Sequence, residues 1–341
     1  MPSNPPPAAV FHYQLAGRLL SVNFPDTATA ESAHRYLSAL RASRVLVHTG
    51  FSATATLNLV SGKSEPLDGL SYEFAAEEAG TQAFYYSGED SYVVRVGDST
   101  VFAGTGPVVT VTLAENLDCE SFLFERVLTH GLASALRRAG AFELHCAAVT
   151  DPETEVSALI VGPSGAGKST LALQLAASGW HFSSDDVVLL AASGNIIEAF
   201  GLRNHFALTR ETITRSGLAD LHFLLHGKGF SPDNKLPLLP QDFFSARQVQ
   251  NCIPKLLIFA HRIEALQSKV VPLDQAQAMK RLLRMCPWAF LDQPVAGRFL
   301  SILEKLCRQC CAFELHSGTD LLGNKLYTAS FISSIINQHD A

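Results

Sequence analysis

The sequence predicts an α/β protein of two domains, the larger of which contains a glycine-rich phosphate loop. Its 341 residues exceed the usual length of one domain, and 47% apolar with 17% charged residues is typical of packed globular proteins. Strand-like, glycine-rich and helical segments follow one another between residues 158 and 177. We expect a smaller mixed α+β N-terminal domain over residues 1–116, which recognises a substrate or partner, and a catalytic domain over residues 117–341.

The N-terminal segment reads as strands joined by turns. Between residues 10 and 114, apolar and β-branched runs are interrupted by Gly, Asp and Ser. We expect a hairpin from Phe11 to Phe24 that turns near Gly17, and a helix from Ala28 to Leu40. Further strands are predicted at residues 44–47, 55–60 and 91–96.

The second domain is predicted to open with a helix from Cys119 to Arg138, which Asp118 caps and Gly140 follows. Two strand-like runs come next, at residues 144–149 and 156–161, and the Asp-Pro pair between them predicts an antiparallel hairpin. The remaining predicted elements are a strand at 255–260, helices at 274–285 and near 297–309, a strand at 312–316 and a closing helix.

The glycine-rich segment matches the phosphate-loop pattern G-x-x-x-x-G-K-[ST], and it stands in the required context, after a strand and before a helix. Glycines allow backbone N–H groups to surround phosphates, and the helix N-terminus adds positive potential. The residues predicted to bind ATP are Gly162, Pro163, Ser164, Gly165, Ala166, Gly167, Lys168, Ser169 and Thr170. Lys168 can reach the β and γ phosphates, and Ser169 can bind Mg²⁺. The alternative is a glycine-rich turn without a ligand.

Two adjacent carboxylates, Asp185 and Asp186, follow Lys168 after only 17 residues. One helix and a tight return bring this acid pair back to the loop. One carboxylate can then hold the metal while the other takes the proton from an attacking hydroxyl, the two roles that phosphoryl transfer requires. The alternative is a helix-to-strand turn whose N–H groups are capped by Asp side chains.

A histidine in the predicted hairpin adds a third polar group. If residues 144–149 pair with 156–161, His145 lies across from about Ile160, one step before the loop. The imidazole could then bind a phosphate oxygen or tune the acid pair. The alternative is a histidine packed at a strand end.

These segments resemble a known family. In order, Leu144–Val149, Gly162–Ser169 and Ser184–Val187 are similar to the C-terminal catalytic domain of HPr kinase/phosphorylase and of HPr kinase-related serine kinases, whose fold is similar to that of phosphoenolpyruvate carboxykinase. The resemblance implies a P-loop kinase domain in which Lys168 and Ser169 hold phosphates and Mg²⁺. It further implies that Asp185 is the base, that Asp186 assists at the metal and that His145 is catalytic, although the two aspartates could exchange roles.

The sequence also departs from the family downstream of the acid pair. The family's Glu-x-x-Gly-Leu-Gly motif is echoed by residues 198–203, but the gap is shorter and Arg203 replaces the last glycine. Glu198 is therefore a doubtful metal ligand, and HPr itself becomes a less secure substrate. The loop at residues 227–235 carries two lysines and could close over the site as a lid, or it could be a solvated surface loop. Arg203 and Arg210 are further candidates for cations that approach the site.

Composition limits the partners. The formal net charge is −6 and the sequence has no block of like charges, so it does not predict a basic surface for nucleic acid or an anionic membrane. No long apolar run or signal peptide is evident, so we expect a cytoplasmic protein, and a homo-oligomer remains open. The seven cysteines show no disulfide framework. We expect the cluster Cys307, Cys310 and Cys311 to be buried thiols rather than a metal site.

Three functions remain open on this sequence. The leading hypothesis is an ATP-dependent kinase that phosphorylates a seryl hydroxyl of a protein or peptide. The same loop, metal and base would also serve a small-molecule acceptor such as a free hydroxy amino acid. The third possibility is an ATP-binding regulatory module that has no acceptor.

Overall fold

The computed structural model describes residues 7–46, 52–64, 67–78, 81–226 and 235–337. The chain forms two compact units, and each draws on two segments of sequence. The first unit comprises Met1–Phe142 with Pro287–Leu300, and the second comprises Glu143–Cys286 with Ser301–Ala341. Several sheets alternate with helices, so the protein is of mixed α/β class.

In the part of the first unit that the structure describes, there are one nine-stranded sheet and two main helices. The strands are Ala9–Leu15 (β1), Arg18–Phe24 (β2), Ser43–Val45 (β3), Ala55–Ser61 (β4), Ser71–Glu78 (β5), Thr81–Ser87 (β6), Ser91–Val96 (β7), Ser99–Gly104 (β8) and Val108–Leu113 (β9). The helices are Thr27–Ala39 (α1) and Phe122–Arg138 (α2). The spatial order is β3-β1-β2-β4-β9-β8-β7-β6-β5. The predicted N-terminal hairpin, the first helix and the strands at 55–60 and 91–96 are therefore confirmed within a few residues. The strand predicted at 44–47 is present as Ser43–Val45, and Val47 lies outside the described residues.

Helix α2 belongs to the first unit, whereas the sequence predicts a second domain that starts at residue 117. Its apolar side packs on β8 and β9, where Phe124, Val127 and Leu128 are fully buried. The helix is capped by Ser121, whose hydroxyl accepts from the N–H of Phe124, and not by Asp118 as predicted. The carboxylate of Asp118 instead accepts from the nearby N–H of Glu120.

A buried ion pair closes the first unit around its second segment. Both guanidinium Nη atoms of Arg138, near the end of α2, lie 2.9 Å from the carboxylate oxygens of Asp292, and both side chains are almost fully buried. This two-pronged geometry satisfies the carboxylate and offsets the cost of removing both charges from water. Segment 287–300 is thereby fastened to the sheet unit despite its distance in sequence.

The second unit has more elements, beginning where the chain leaves the first. The strands are Ala141–Leu144 (β10), Cys146–Thr150 (β11), Ser157–Val161 (β12), His181–Ser184 (β13), Val188–Ser193 (β14), Ile196–Gly201 (β15), Phe206–Thr209 (β16), Lys235–Leu238 (β17), Asn251–Cys252 (β18), Pro254–Arg262 (β19), Lys269–Leu273 (β20) and Cys311–Ser317 (β21). The helices are Lys168–Ala177 (α3), Arg210–Ser216 (α4), Gln275–Arg284 (α5), Gln293–Gln309 (α6) and Lys325–Asn337 (α7). Helix α6 begins in the first unit, and its residues from Ser301 onward belong to the second. Every helix in the described ranges is too short or too polar to cross a lipid bilayer.

The central sheet of the second unit has the order β13-β11-β12-β19-β21-β20. Strands β12, β19 and β21 run parallel, while β11 is antiparallel to both of its neighbours, β12 and β13. The C-terminal ends of β12 and β13 and the N-terminal end of β11 therefore lie at the same edge of the sheet. Helices α3 and α7 cover one face with an apolar core that includes Ile160, Leu173, Phe313, Leu315 and Ile332.

The predicted hairpin before the glycine-rich loop is present, but its first strand starts later. Residues 144–149 split into β10, which pairs with β14 in a second sheet, and β11, which pairs with β12. The register sets Ala147 opposite Ile160, so the expected position of His145 across from Ile160 is wrong by two residues. His145 lies between the two strands, where the chain passes from one sheet to the other.

A tight backbone contact fixes the chain that follows the acid pair. Strands β14 and β15 form a hairpin in which Val188 pairs with Gly201, and the N–H of Leu202 donates to Val187 O at 3.3 Å. A Cβ atom on Gly201 would lie 2.8 Å from the carbonyl carbon of Ser183. Only glycine allows this approach, which brings the end of β15 back beside the turn that carries the acid pair.

Replacing Gly201 by Ala should destabilise the second unit by about 1–3 kcal/mol, because the added methyl group must displace the backbone of Ser183. Urea denaturation measures the loss. Gly297→Ala in α6 is the matched control, since a Cβ atom there meets nothing within 4 Å and alanine favours the helix. Equal unfolding midpoints for Gly201→Ala and the wild type would contradict the close contact.

Candidate functional site

The glycine-rich loop lies between β12 and α3, as the sequence predicts. Gly165 and Gly167 have φ values of 79° and 96°, in the left-handed region that favours glycine, and Gly167 caps α3. A Cβ atom on Gly162 would lie 2.9 Å from the carbonyl oxygen of Ala260. These backbone conformations form a compact turn directly before a helix N-terminus, an arrangement that attracts anions.

Lys168 is the first residue of α3, and only 6% of it is exposed. Its Nζ donates to the carbonyl oxygens of Gly162 and Pro163 at 2.8 and 3.1 Å. Burial lowers the pKa of Lys168, and the charge of the nearby Asp186 opposes this effect. The loop thus holds a partly desolvated ammonium group whose interaction with an anion is weakly screened by water.

The acid pair occupies the turn between β13 and β14, next to the glycine-rich loop at one end of the central sheet. Ser184 stabilises the turn by donating its hydroxyl to Val187 O at 2.8 Å. Asp185 is 1% exposed, and its Oδ2 accepts the N–H of Ala207 at 3.1 Å. Among the described residues, Oδ1 of Asp185 has no hydrogen-bond partner. A buried carboxyl oxygen of this kind is available to a bound ligand.

The environment of Asp185 raises its pKa from 3.8 to about 7. Burial is the largest cause, because it disfavours the charged form, and the negative charge of Asp186 adds to it. The N–H of Ala207 acts in the opposite direction by stabilising the carboxylate. A carboxyl group that titrates near neutrality can accept a proton during a reaction at physiological pH.

Asp186 is held from two sides. Nδ1 of His145 lies 3.2 Å from its Oδ1, and Nη1 of Arg203 lies 3.4 Å from its Oδ2. Burial lowers the pKa of His145, the charge of Lys168 lowers it further, and Asp186 opposes both. The predicted approach of His145 to the acid pair is therefore observed, and Arg203 joins it because the hairpin of β14 and β15 returns to the turn.

The glycine-rich loop, the acid pair and His145 line one cleft with a volume of about 540 Å³. Residues Ser164 to Thr170 form one wall of the cleft, while Gly162 and Pro163 supply the carbonyl groups that hold Lys168. The volume lies in the range of small-molecule sites. The structure therefore brings the predicted phosphate-binding, metal-binding and catalytic residues together in one concave site.

Two other candidates lie elsewhere. Glu198 pairs with Ala191 in the middle of the β14–β15 hairpin, its Oε2 accepts from Asn251 at 3.0 Å, and it is not among the residues that line the cleft. Arg210 donates to the carbonyl oxygen of Leu225 at the start of α4. Most of the predicted lid, residues 227–234, lies outside the described residues, but Lys235 at its end lines the cleft.

The cysteine cluster is partly as expected. Cys307 and Cys310 are buried, which confirms that part of the prediction, and burial raises the pKa of Cys307 to about 11. Cys311 is exposed at the start of β21, so the expectation of a third buried thiol is wrong. Strand alternation does not account for this exposure, because Cys311 shares its face of β21 with Phe313 and Leu315, which are buried in the core.

Sequence reasoning missed several residues of the same cleft. Glu211 and Arg215 on α4, and Arg262 at the end of β19, contribute side chains to it. Arg262 lies two residues after the strand predicted at 255–260 and is the last residue of β19, and ends of parallel strands are common ligand sites. The parallel pairing itself depends on contacts that are distant in sequence.

Comparison with known proteins adds little to this picture. No family model and no curated protein matches the chain. Among solved structures, the HPr(Ser) kinase/phosphatase from Coxiella burnetii is similar over 38% of this chain and 72% of its own, with 15% sequence identity and a TM-score of 0.25. A likeness at this level does not establish a shared fold.

Replacing Asp185 by Asn tests the burial of its carboxyl group. Because the pKa rises from 3.8 to about 7 on folding, the folded state binds more protons than the unfolded state between these pH values. The stability gained from protonation is fully present below about pH 4 and is lost as pH rises through about 7. We expect the wild type to lose stability relative to Asp185→Asn between about pH 5 and about pH 8.

Urea denaturation of both proteins at the two pH values measures this change. Glu304→Gln, an exposed carboxylate on α6, is the control for loss of a negative charge. If the difference in unfolding free energy between the wild type and Asp185→Asn is the same at both pH values, Asp185 does not titrate as described.

Proposed function

We propose that this chain is an ATP-dependent kinase that transfers the γ-phosphate to a seryl hydroxyl of a protein or peptide. The observation that carries the proposal is the convergence of Lys168, the acid pair and His145 on one cleft beside a glycine-rich loop. A cation for the terminal phosphates, a carboxylate for a metal and a second carboxyl for the acceptor proton are the groups that such a transfer needs.

The loop would bind the triphosphate through its backbone N–H groups and the start of α3. The Nζ of Lys168 already lies against two loop carbonyl oxygens, and a phosphate oxygen would complete its hydrogen bonds. Because Lys168 is largely buried, this charge pairing would be stronger than on an open surface. Residues Ser164 to Thr170 are the proposed contacts along the phosphates.

The donor set also fits Mg²⁺. The hydroxyl of Ser169 and the carboxylate of Asp186 line the cleft and offer the oxygen ligands that Mg²⁺ prefers. Within the described ranges, no group of three His, Cys, Asp or Glu side chains could hold a metal ion by itself. This suits Mg²⁺, which takes few protein ligands and completes its shell with phosphate and water. When bound, the ion would neutralise charge on the transferring phosphoryl group.

In the proposed reaction, Asp185 acts as the base. The acceptor oxygen forms a bond to the γ-phosphorus, the bond from that phosphorus to the β–γ bridging oxygen breaks, and ADP leaves with the bond's electron pair. The acceptor proton passes to Asp185, whose Oδ1 is without a partner among the described residues and whose pKa of about 7 suits this role. His145 and Arg203 would keep the Asp186 carboxylate oriented.

One observation favours a second candidate, a kinase for a small hydroxyl compound. Asp185 is only 1% exposed, and a free hydroxy amino acid reaches a buried carboxyl more easily than a seryl group within a folded chain. A protein acceptor would have to present its serine on an extended or flexible segment. The third possibility, an ATP-binding regulatory module, would use the loop without the acid pair.

Incubation with γ-labelled ATP, Mg²⁺ and a cell lysate separated into macromolecular and small-molecule fractions tests the proposal. We expect label in the macromolecular fraction with the wild type. Lys168→Ala should lose at least about 100-fold in transfer because it loses the phosphate contact, and Asp185→Asn should lose about 100-fold while still binding ATP. Lys280→Ala, an exposed lysine on α5, is the matched control.

The fractions separate the three functions. Label in small molecules alone would replace the protein acceptor by a small one. ATP binding without transfer to either fraction would leave only the regulatory module. No ATP binding by the wild type would contradict all three.

Replacing Arg203 by Met should weaken the effect of Mg²⁺ on ATP binding by about 10-fold to 100-fold, because Asp186 loses one of the two groups that orient it. Calorimetric titration of ATP with and without Mg²⁺ measures the effect. Arg203→Lys should restore part of it, and Arg308→Met on the exposed surface of α6 should change nothing. An unchanged Mg²⁺ dependence in Arg203→Met would show that Asp186 does not need this contact.

A further inference from the structure

The cleft extends beyond the glycine-rich loop to two other loops at the same end of the central sheet. One follows β19 and includes residues 263–266, and the other follows β21 and includes residues 318–322. Strands β12, β19 and β21 are parallel, so their carboxyl ends face the same side. In open α/β sheets, ligands bind in the crevice outside these ends. We call this second region of the cleft the distal end.

Hydrogen bonds between the two loops give the distal end a firm backbone. The N–H groups of Thr319 and Asp320 donate to the carbonyl oxygens of Ala265 and Leu266 at 2.9 and 3.1 Å. The carboxylate of Asp320 accepts the N–H of Ser268 at 2.9 Å and also its hydroxyl. A preformed surface of this kind loses little entropy when a ligand binds.

A buried amide connects the distal end to the phosphate-binding helix. The Nε2 of Gln174, on α3, donates to Leu321 O at 2.6 Å, and the hydroxyl of Thr328 donates to the same carbonyl at 2.9 Å. Gln174 is 1% exposed and lines the cleft. This contact fixes the spacing between the start of α3, where phosphates would bind, and the loop after β21.

The distal end offers apolar surface to a ligand. Leu266 is 81% exposed although its carbonyl is hydrogen-bonded to the opposite loop, so its side chain is held at the rim of the cleft in contact with solvent. Ile263, Ala265 and Leu322 line the same region. Fixed, exposed apolar groups beside polar ones are typical of surfaces that bind small organic ligands.

An ion cluster of two cations and one anion completes the rim. The carboxylate Oε1 of Glu211 lies 2.7 Å from Nε of Arg215 and 3.3 Å from Nη1 of Arg262, and all three side chains line the cleft. Because Glu211 offsets one of the two cations, this cluster is a poorer site for a polyphosphate than the loop around Lys168. A planar guanidinium can stack on a base, and a carboxylate can accept hydrogen bonds from ribose hydroxyls.

We infer that the distal end binds the nucleoside of the triphosphate, its base against the apolar loops and Arg262, and its ribose beside Glu211. This inference rests on the proposed function, because the triphosphate must occupy the glycine-rich loop for the nucleoside to reach the distal end. It divides the cleft into a phosphate end, with Lys168, and a nucleoside end, with Arg262. Each end then contributes separately to affinity.

Calorimetric titration of the full chain with inorganic tripolyphosphate and with ATP, both with Mg²⁺, separates the two contributions. We expect the wild type to bind ATP at least about tenfold more tightly than tripolyphosphate. The double variant Glu211→Gln/Arg262→Met should lose most of this ratio and keep the affinity for tripolyphosphate, which also reports that it is folded. Lys168→Ala should weaken both ligands.

The matched control is Glu304→Gln/Arg308→Met, which removes another exposed ion pair from α6. It should leave the ratio of the two affinities unchanged. Equal affinity of the wild type for ATP and tripolyphosphate would overturn the nucleoside site and leave the phosphate loop in place. Equal weakening of both ligands in the Glu211/Arg262 double variant would also overturn it, because the cluster would then contact phosphates. Failure of both ligands to bind would overturn the proposed function as well.

Discussion

The strand order β13-β11-β12 is the constraint on which the candidate site depends. Because β11 is antiparallel to both neighbours, the glycine-rich loop after β12, the acid pair after β13 and His145 before β11 all lie at one end of the sheet. Two strand spacings separate β12 from β13, a distance of about 10 Å. A bound triphosphate and a small acceptor group can span that distance, so one sheet register sets both halves of the proposed chemistry.

The electrostatics of the site follow from the same packing. Lys168 and Asp185 are both almost fully buried. Burial favours the neutral form of each group, so it lowers the pKa of Lys168 and raises that of Asp185. Asp186 remains at the boundary with solvent, where His145 and Arg203 face its two oxygens. Two adjacent carboxyl groups are thereby made unequal by their surroundings. This inequality supports the assignment of proton transfer to Asp185 and metal binding to Asp186, which the sequence leaves open.

Local patterns predict the parts of the site that local forces determine. The strand, glycine-rich loop and helix around Lys168 follow from residue type and spacing, and so does the pairing of β11 with β12. The break at His145 does not, because the switch between two sheets depends on which distant strand each half pairs with. The β14–β15 hairpin brings Arg203 to Asp186, and the parallel strand β19 brings Arg262 to the cleft. The apolar side of helix α2 is evident in the sequence, but the pattern does not specify the element against which it packs, so only the structure assigns the helix to the first unit.

The phosphate end and the nucleoside end of the cleft would have different roles in a transfer reaction. Contacts to the phosphates change as the bond to the γ-phosphorus breaks, whereas contacts to a nucleoside stay the same throughout. Binding energy from a non-reacting part of a substrate can hold the reacting part in position. Gln174 links the two ends through a buried hydrogen bond to Leu321, so the position of a base on the loops after β19 and β21 would be transmitted to the start of α3. A donor that lacks a base would bind the loop yet lack this positioning.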